Sequence, residues 1–146
     1  MKICRIFGRI KEINMSGSFA KKIIEFHGFS ILCSMCILIL CTIKLPDQDQ
    51  VSLFPNFDKF VHFMMYFSLS TILILETIGL KNFSIKGFLR ACLIAIITTL
   101  ILGGLIEIIQ SDFTSYRSGD IIDWLSDMGG SVSACLVTGL IRLAFR

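Results

Sequence analysis

Charge is scarce in this chain: only 17% of its 146 residues are Asp, Glu, Lys or Arg, against about 25% in a typical soluble domain. With 54% of residues hydrophobic, so few charges leave too little polar surface for a water-soluble enzyme. Proline occurs twice, at Pro46 and Pro55 in one short loop, so long helices elsewhere meet no proline. Zinc-binding spacings and a serine nucleophile motif are also missing. Of the six cysteines, Cys33, Cys36, Cys41, Cys92 and Cys135 lie in apolar stretches and Cys4 in a basic one. The Cys33–Cys36 pair forms a CxxC without an activating base, so the thiols read as small hydrophobes.

What the chain has is apolar length, with a mean hydropathy of +0.78. Crossing a bilayer takes about 20 mostly apolar residues, and four stretches meet that need: Ile23–Leu45, Phe57–Leu80, Phe88–Ile109 and Asp120–Leu143. An acidic loop, a basic turn around residues 81–87 and a polar connection from Ser111 to Gly119 separate them. Connections this short make neighbours antiparallel. The expected fold is an all-α membrane protein, an antiparallel four-transmembrane-helix bundle over residues 26–146. Gly103, Gly104, Gly130, Ala134 and Gly139 permit close helix contacts, within the chain or with another membrane protein. Segment 1–25 is basic, with Ile3, Ile6, Phe7, Ile10 and Ile13 at helical spacing. It fits either a helix lying on the membrane surface or a basic tail that fixes topology. Thr42 to Pro46 does not look like a cleavage site, so the first stretch is expected to stay as an anchor.

The charges are segregated. The N-terminal segment, the 81–90 region and the C-terminus together carry net +9, whereas the two long polar connections with their adjoining helix starts carry net −4. The basic excess predicts both termini in the cytoplasm and the polar connections outside. It reflects orientation in a bilayer, and no nucleic-acid partner is expected.

On that outer side three stretches bring polar residues to one depth: Asp58, Lys59 and His62; Glu107 and Gln110; Arg117, Asp120, Asp123 and Asp127. Helical spacing puts Asp58, His62 and Tyr66 on one face, and Asp120, Asp123, Asp127, Gly130 and Ala134 on another. Carboxylates at such depth are costly unless they face a bundle interior, water, a cation or a partner charge. The chemistry open to them is general base work by His62 or Glu107, with Asp123 or Asp127 orienting the imidazole. Arg117 and Lys59 suit a phosphate clamp. The cofactor is unknown; Glu107, Asp123 and Asp127 form a set able to hold a divalent cation. The structural alternative is mutual satisfaction: Arg117 with Asp120 or Asp123, Lys59 with Glu107, His62 with Asp127. Glu76, at the inner boundary, can snorkel or pair with Lys81 or Arg90. Trp124 reads as an interfacial anchor.

Three blocks together resemble the VanZ-like family of bacterial membrane proteins. They are Asp58-Lys59-Phe60-Val61-His62-Phe63 with its Lys-x-x-His, Gly104 to Gln110 with its Glu-x-x-Gln, and Arg117 followed by Asp123, Asp127 and Gly130. The resemblance spans about Asp58 to Ala144 and departs at Asp127, where that family commonly has Asn. A carboxylate there accepts but does not donate, and adds negative charge beside Asp123. The resemblance implies a multi-pass protein of the bacterial cytoplasmic membrane with a link to teicoplanin resistance. It adds weight to seven residues as one functional set without choosing between enzyme and binder; within the set His62, Glu107 and Asp123 are the catalytic candidates and Lys59, Gln110, Arg117 and Asp127 the ligand-binding ones. The implied partner is a membrane lipid or lipid-linked cell-wall precursor; a non-catalytic lipid, drug or partner binder is the alternative.

Overall fold

The computed structural model describes residues 27–43, 55–79, 84–113 and 120–145. The basic segment 1–25, most of the acidic loop, and Arg117 lie outside the described residues. What is described forms four helices and no strand: α1 (His27–Thr42), α2 (Phe57–Ile78), α3 (Ile85–Phe113) and α4 (Ile121–Ala144). At about 1.5 Å per residue, α2, α3 and α4 measure about 33, 43 and 36 Å, enough for a hydrocarbon layer of about 30 Å. All three are long and apolar enough to cross a membrane.

Helix ends differ from the hydropathy boundaries for local reasons. The third helix was expected over Phe88–Ile109, but it begins at Ile85 and continues to Phe113. Lys86, Gln110, Ser111 and Asp112 interrupt apolarity without interrupting backbone hydrogen bonding, so the helix outlasts its apolar stretch. Helix α2 ends at Gly79, whose φ of 65° suits a residue without Cβ. It starts after Asn56, at φ 64°, in the left-handed region that Asn tolerates. Asp120 is the N-cap of α4, its side chain accepting from the Ile122 amide at 2.9 Å.

The buried stripes explain the packing. On α2 they are His62 and Tyr66 toward the start, then Leu69, Ser70, Leu73 and Ile74, mostly apolar, toward the end. On α4 every buried residue is small or polar: Asp123, Asp127, Gly130, Ser131, Ala134 and Thr138. Its large apolar residues, among them Ile121, Leu125, Leu136 and Leu140, face outward and are exposed. A soluble protein does not tolerate that much exposed apolar surface, and lipid does. The small and polar inner face of α4 behind its apolar outer face, and three long apolar helices, together point to a membrane protein.

Small residues allow the close approaches. A Cβ on Gly130 would run into the backbone carbonyl of Phe63 and the amide of Phe67, so α2 and α4 touch backbone to backbone there. The Trp124 ring lies against Gly103 and Gly104, and its Nε1 donates to the Leu100 carbonyl at 3.3 Å. Trp124, expected as an interfacial anchor, is half-buried and joins α4 to α3. Ile37 and Cys41 of α1 join Tyr66, Leu69, Leu73 and Ile74 of α2 and Ala91, Cys92, Ala95 and Ile106 of α3 in one apolar core. The described cysteines form no disulfide; Cys41 and Cys92 are buried and Cys36 is exposed.

The order of contacts gives relative directions. Lys59, His62, Ser70 and Gly79 meet Asp123, Asp127, Ser131 and Arg142 in turn, so α2 and α4 point the same way. Against α4, α3 runs in reverse: Glu107 meets Asp120, Leu100 meets Trp124, and the Phe88 ring lies against Gly139.

Candidate functional site

The start of α2, the end of α3 and the start of α4 lie together, and each carries one polar residue about 8–9 Å inside its terminus at ~1.5 Å per residue. Those residues are His62, Glu107 and Asp127. His62 and Asp127 are each 1% exposed, and their Nδ1–Oδ1 distance is 3.0 Å. One ligand-type atom each from His62, Glu107 and Asp127 falls within 4.8 Å of the other two. Asp127 reaches this position because a Gly faces it: a Cβ on Gly103 would lie 2.7 Å from Asp127 Oδ2.

Nearer the helix ends the network is tied. Lys59 Nζ donates to Asp120 Oδ2 at 2.7 Å and to Asp123 Oδ1 at 3.0 Å. Glu107 Oε2 accepts the Asp120 amide at 2.7 Å, placing a carboxylate at the N-terminus of α4 where free N–H groups favour negative charge. Asp120 therefore caps its own helix, holds Lys59 and donates to Glu107. The Lys59 ammonium beside Asp120, helped by the Ile122 amide, holds the Asp120 carboxyl below the usual carboxylate range.

Of the residues singled out from sequence, Lys59, His62, Glu107, Asp123 and Asp127 come together. Of the pairings expected on the structural alternative, His62 meets Asp127, whereas Lys59 takes Asp120 and Asp123 and Glu107 takes a backbone amide. Gln110 is buried and its Nε2 donates to the Cys41 carbonyl at 2.9 Å, tying α3 to the end of α1. Arg117 lies outside the described residues, so its pairing and phosphate-clamp roles have no geometry here. Glu76 serves α1: Oε1 accepts from the Phe29 amide at 2.9 Å and Oε2 from Ser30 Oγ at 2.6 Å.

One residue already placed on the His62 face and one unforeseen contact extend the site inward. Tyr66 is fully buried, one helical turn beyond His62, and its hydroxyl has no hydrogen-bond partner among the described residues. Its i+4 spacing from His62 was the available signal. Deeper still, Ser70 donates to Ser131 at 2.9 Å and lies 3.3 Å from the Thr99 hydroxyl, joining three helices. Nothing in the spacing of Ser70, Thr99 and Ser131 marked that meeting point.

Chemically, the site offers an imidazole held by a carboxylate, a second carboxylate beside it, and a cation already engaged at the rim. That set can accept a proton, orient a polar group or bind a cation. Its described part is acidic, so an anion approaching it needs a positive partner. Comparison with protein-family models, curated proteins and solved structures finds no match to this chain.

Proposed function

We propose that the chain is a VanZ-like protein of the bacterial cell envelope that acts on the polar head group of a phosphate-bearing lipid or lipid-linked wall precursor. In this reading four helices cross the membrane as an antiparallel bundle, with both termini cytoplasmic and the His62 end outside, as the charge segregation favours. A role in teicoplanin resistance enters through the resemblance alone. His62, steadied by Asp127, is the proton acceptor, with Glu107 beside it and Asp123 fixing Lys59 at the rim. Arg117 supplies the cationic contact to phosphate. The observation that carries the proposal is the set of buried polar atoms without partners among the described residues, on residues from three helices: His62 Nε2, Glu107 Oε1 and Asp127 Oδ2. Natural proteins rarely leave such atoms unused, because each costs desolvation without return.

The test is native mass spectrometry and turnover on protein purified in detergent. A head-group lipid should remain on the wild type and be lost from Arg117→Ala. Phosphate release from an isoprenoid diphosphate should stop in His62→Ala and Glu107→Gln. Identical lipid content and undiminished turnover in all three variants refute the proposal. A second reading, binding without chemistry, is favoured by the hydroxyls of Ser70, Thr99 and Ser131 being absorbed in contacts with one another, leaving no nucleophile offered there. Lipid retained in a site-dependent way without turnover supports that reading.

A further inference from the structure

The cluster at His62 has more donor atoms than the protein uses. The 3.0 Å contact between His62 and Asp127 engages one polar atom of each. His62 Nε2, Asp127 Oδ2, Glu107 Oε1 and the Tyr66 hydroxyl remain without partners among the described residues. His62, Tyr66 and Asp127 are all nine-tenths or more buried, so bulk water does not satisfy them. Asp127 Oδ2 faces α3 at Gly103, one turn from Glu107, in space that a Cβ would fill.

We infer that this cluster binds a divalent transition-metal cation of the zinc or manganese class, held by a ring nitrogen of His62 and one carboxylate oxygen each from Glu107 and Asp127. The three ligand atoms already lie within 4.8 Å of one another. Bonds of about 2.0–2.2 Å to a shared ion need only modest side-chain rotation from there. Two carboxylates and a neutral imidazole carry two negative charges, which a divalent ion cancels in apolar surroundings that penalise net charge. An imidazole among the donors selects transition metals over calcium and magnesium, which take oxygen shells. A second grouping, Asp58, His62 and Asp123, meets the same distance condition. It is the poorer site, because Asp58 is exposed and Asp123 Oδ1 is occupied by Lys59. Three protein ligands leave a coordination position open. That position would give the acidic site its positive partner for a phosphate oxygen, the one respect in which this inference rests on the head-group reading.

The experiment uses the full chain in detergent, purified through a histidine-free tag and stripped with a chelator. ZnCl2 and MnCl2 are titrated in competition with a fluorescent chelator, without added lipid. One ion should bind per chain, and Glu107→Gln and Asp127→Asn should each weaken binding about tenfold or more. Asp112→Asn, outside the cluster, should bind like the wild type, and circular dichroism establishes that each variant is helical. Should Asp127→Asn not fold, the half-buried Glu107→Gln carries the comparison. Absence of stoichiometric binding, binding unchanged in Glu107→Gln, or calcium competing as well as zinc overturns the inference. Metal bound with no lipid retained refutes the head-group reading alone; lipid retained with no metal refutes this inference alone.

Discussion

Replacing His62 with leucine removes an imidazole of similar bulk and leaves Asp127 in the dry interior with neither oxygen paired. Before the change Oδ1 has His62 Nδ1 at 3.0 Å, and Oδ2 already has no partner among the described residues. Lys59 is not at hand to replace the imidazole, since Asp120 and Asp123 hold it at 2.7 and 3.0 Å. Removing one member of a buried pair costs about 3–5 kcal/mol, because the remaining charge keeps its desolvation penalty. Ser70→Ala is the internal standard. It cuts neutral contacts to Ser131 and Thr99, and an interhelical hydrogen bond in a membrane averages about 0.6 kcal/mol. His62→Leu should therefore be several times more damaging than Ser70→Ala. The double variant His62→Leu/Asp127→Leu should return to within about 1 kcal/mol of the wild type, since it removes both polar groups together. The assay is equilibrium unfolding in mixed micelles with a denaturing detergent, followed by helical circular dichroism with a chelator present. A single variant no worse than Ser70→Ala, or a double variant as unstable as the single one, refutes the picture of a coupled pair in a dry site.

Gly130→Ala should cost about 1–3 kcal/mol in the same assay, because its Cβ meets backbone of Phe63 and Phe67, which cannot rotate away; wild-type stability would refute the backbone contact between α2 and α4. Glu76→Gln replaces one of two accepting oxygens at the start of α1 with a donor, and losing a bond to a charged group should cost about 1.5–3 kcal/mol, with faster hydrogen exchange at the Phe29 and Ser30 amides as the local readout. Asp120 has its carboxyl held low by Lys59, so its stabilising contribution is full above the ordinary carboxylate range and is lost as pH falls through the folded-state value. Thermal midpoints measured from neutral to acid pH should fall less steeply in Asp120→Asn than in the wild type, and parallel curves would count against the Lys59 tie.

Much of the framework was legible in sequence because it depends on local composition. Apolar runs near His27–Thr42, Phe57–Ile78, Ile85–Phe113 and Ile121–Ala144 all became helices. Of the stripe Asp120, Asp123, Asp127, Gly130 and Ala134, the last four form one buried face of α4, while Asp120 is its partly exposed N-cap. The exact ends were less legible: Gln110 to Phe113 continue a helix past its apolar stretch, since backbone bonding rather than hydropathy decides where a helix stops.

Within the site, sequence periodicity was enough to put His62, Glu107 and Asp127 at one depth, because 1.5 Å of rise per residue depends on no neighbour. Which atoms then meet is a tertiary matter. Lys59, expected to meet Glu107, holds Asp120 and Asp123, and Glu76 accepts from the first turn of α1, while its expected partner Lys81 lies outside the described residues. Those outcomes depend on how each helix is rotated and shifted along its neighbour. Backbone approach at Gly130 and the seating of Trp124 on Gly103 and Gly104 set that register, and a one-dimensional pattern carries no coordinate for rotation between two helices.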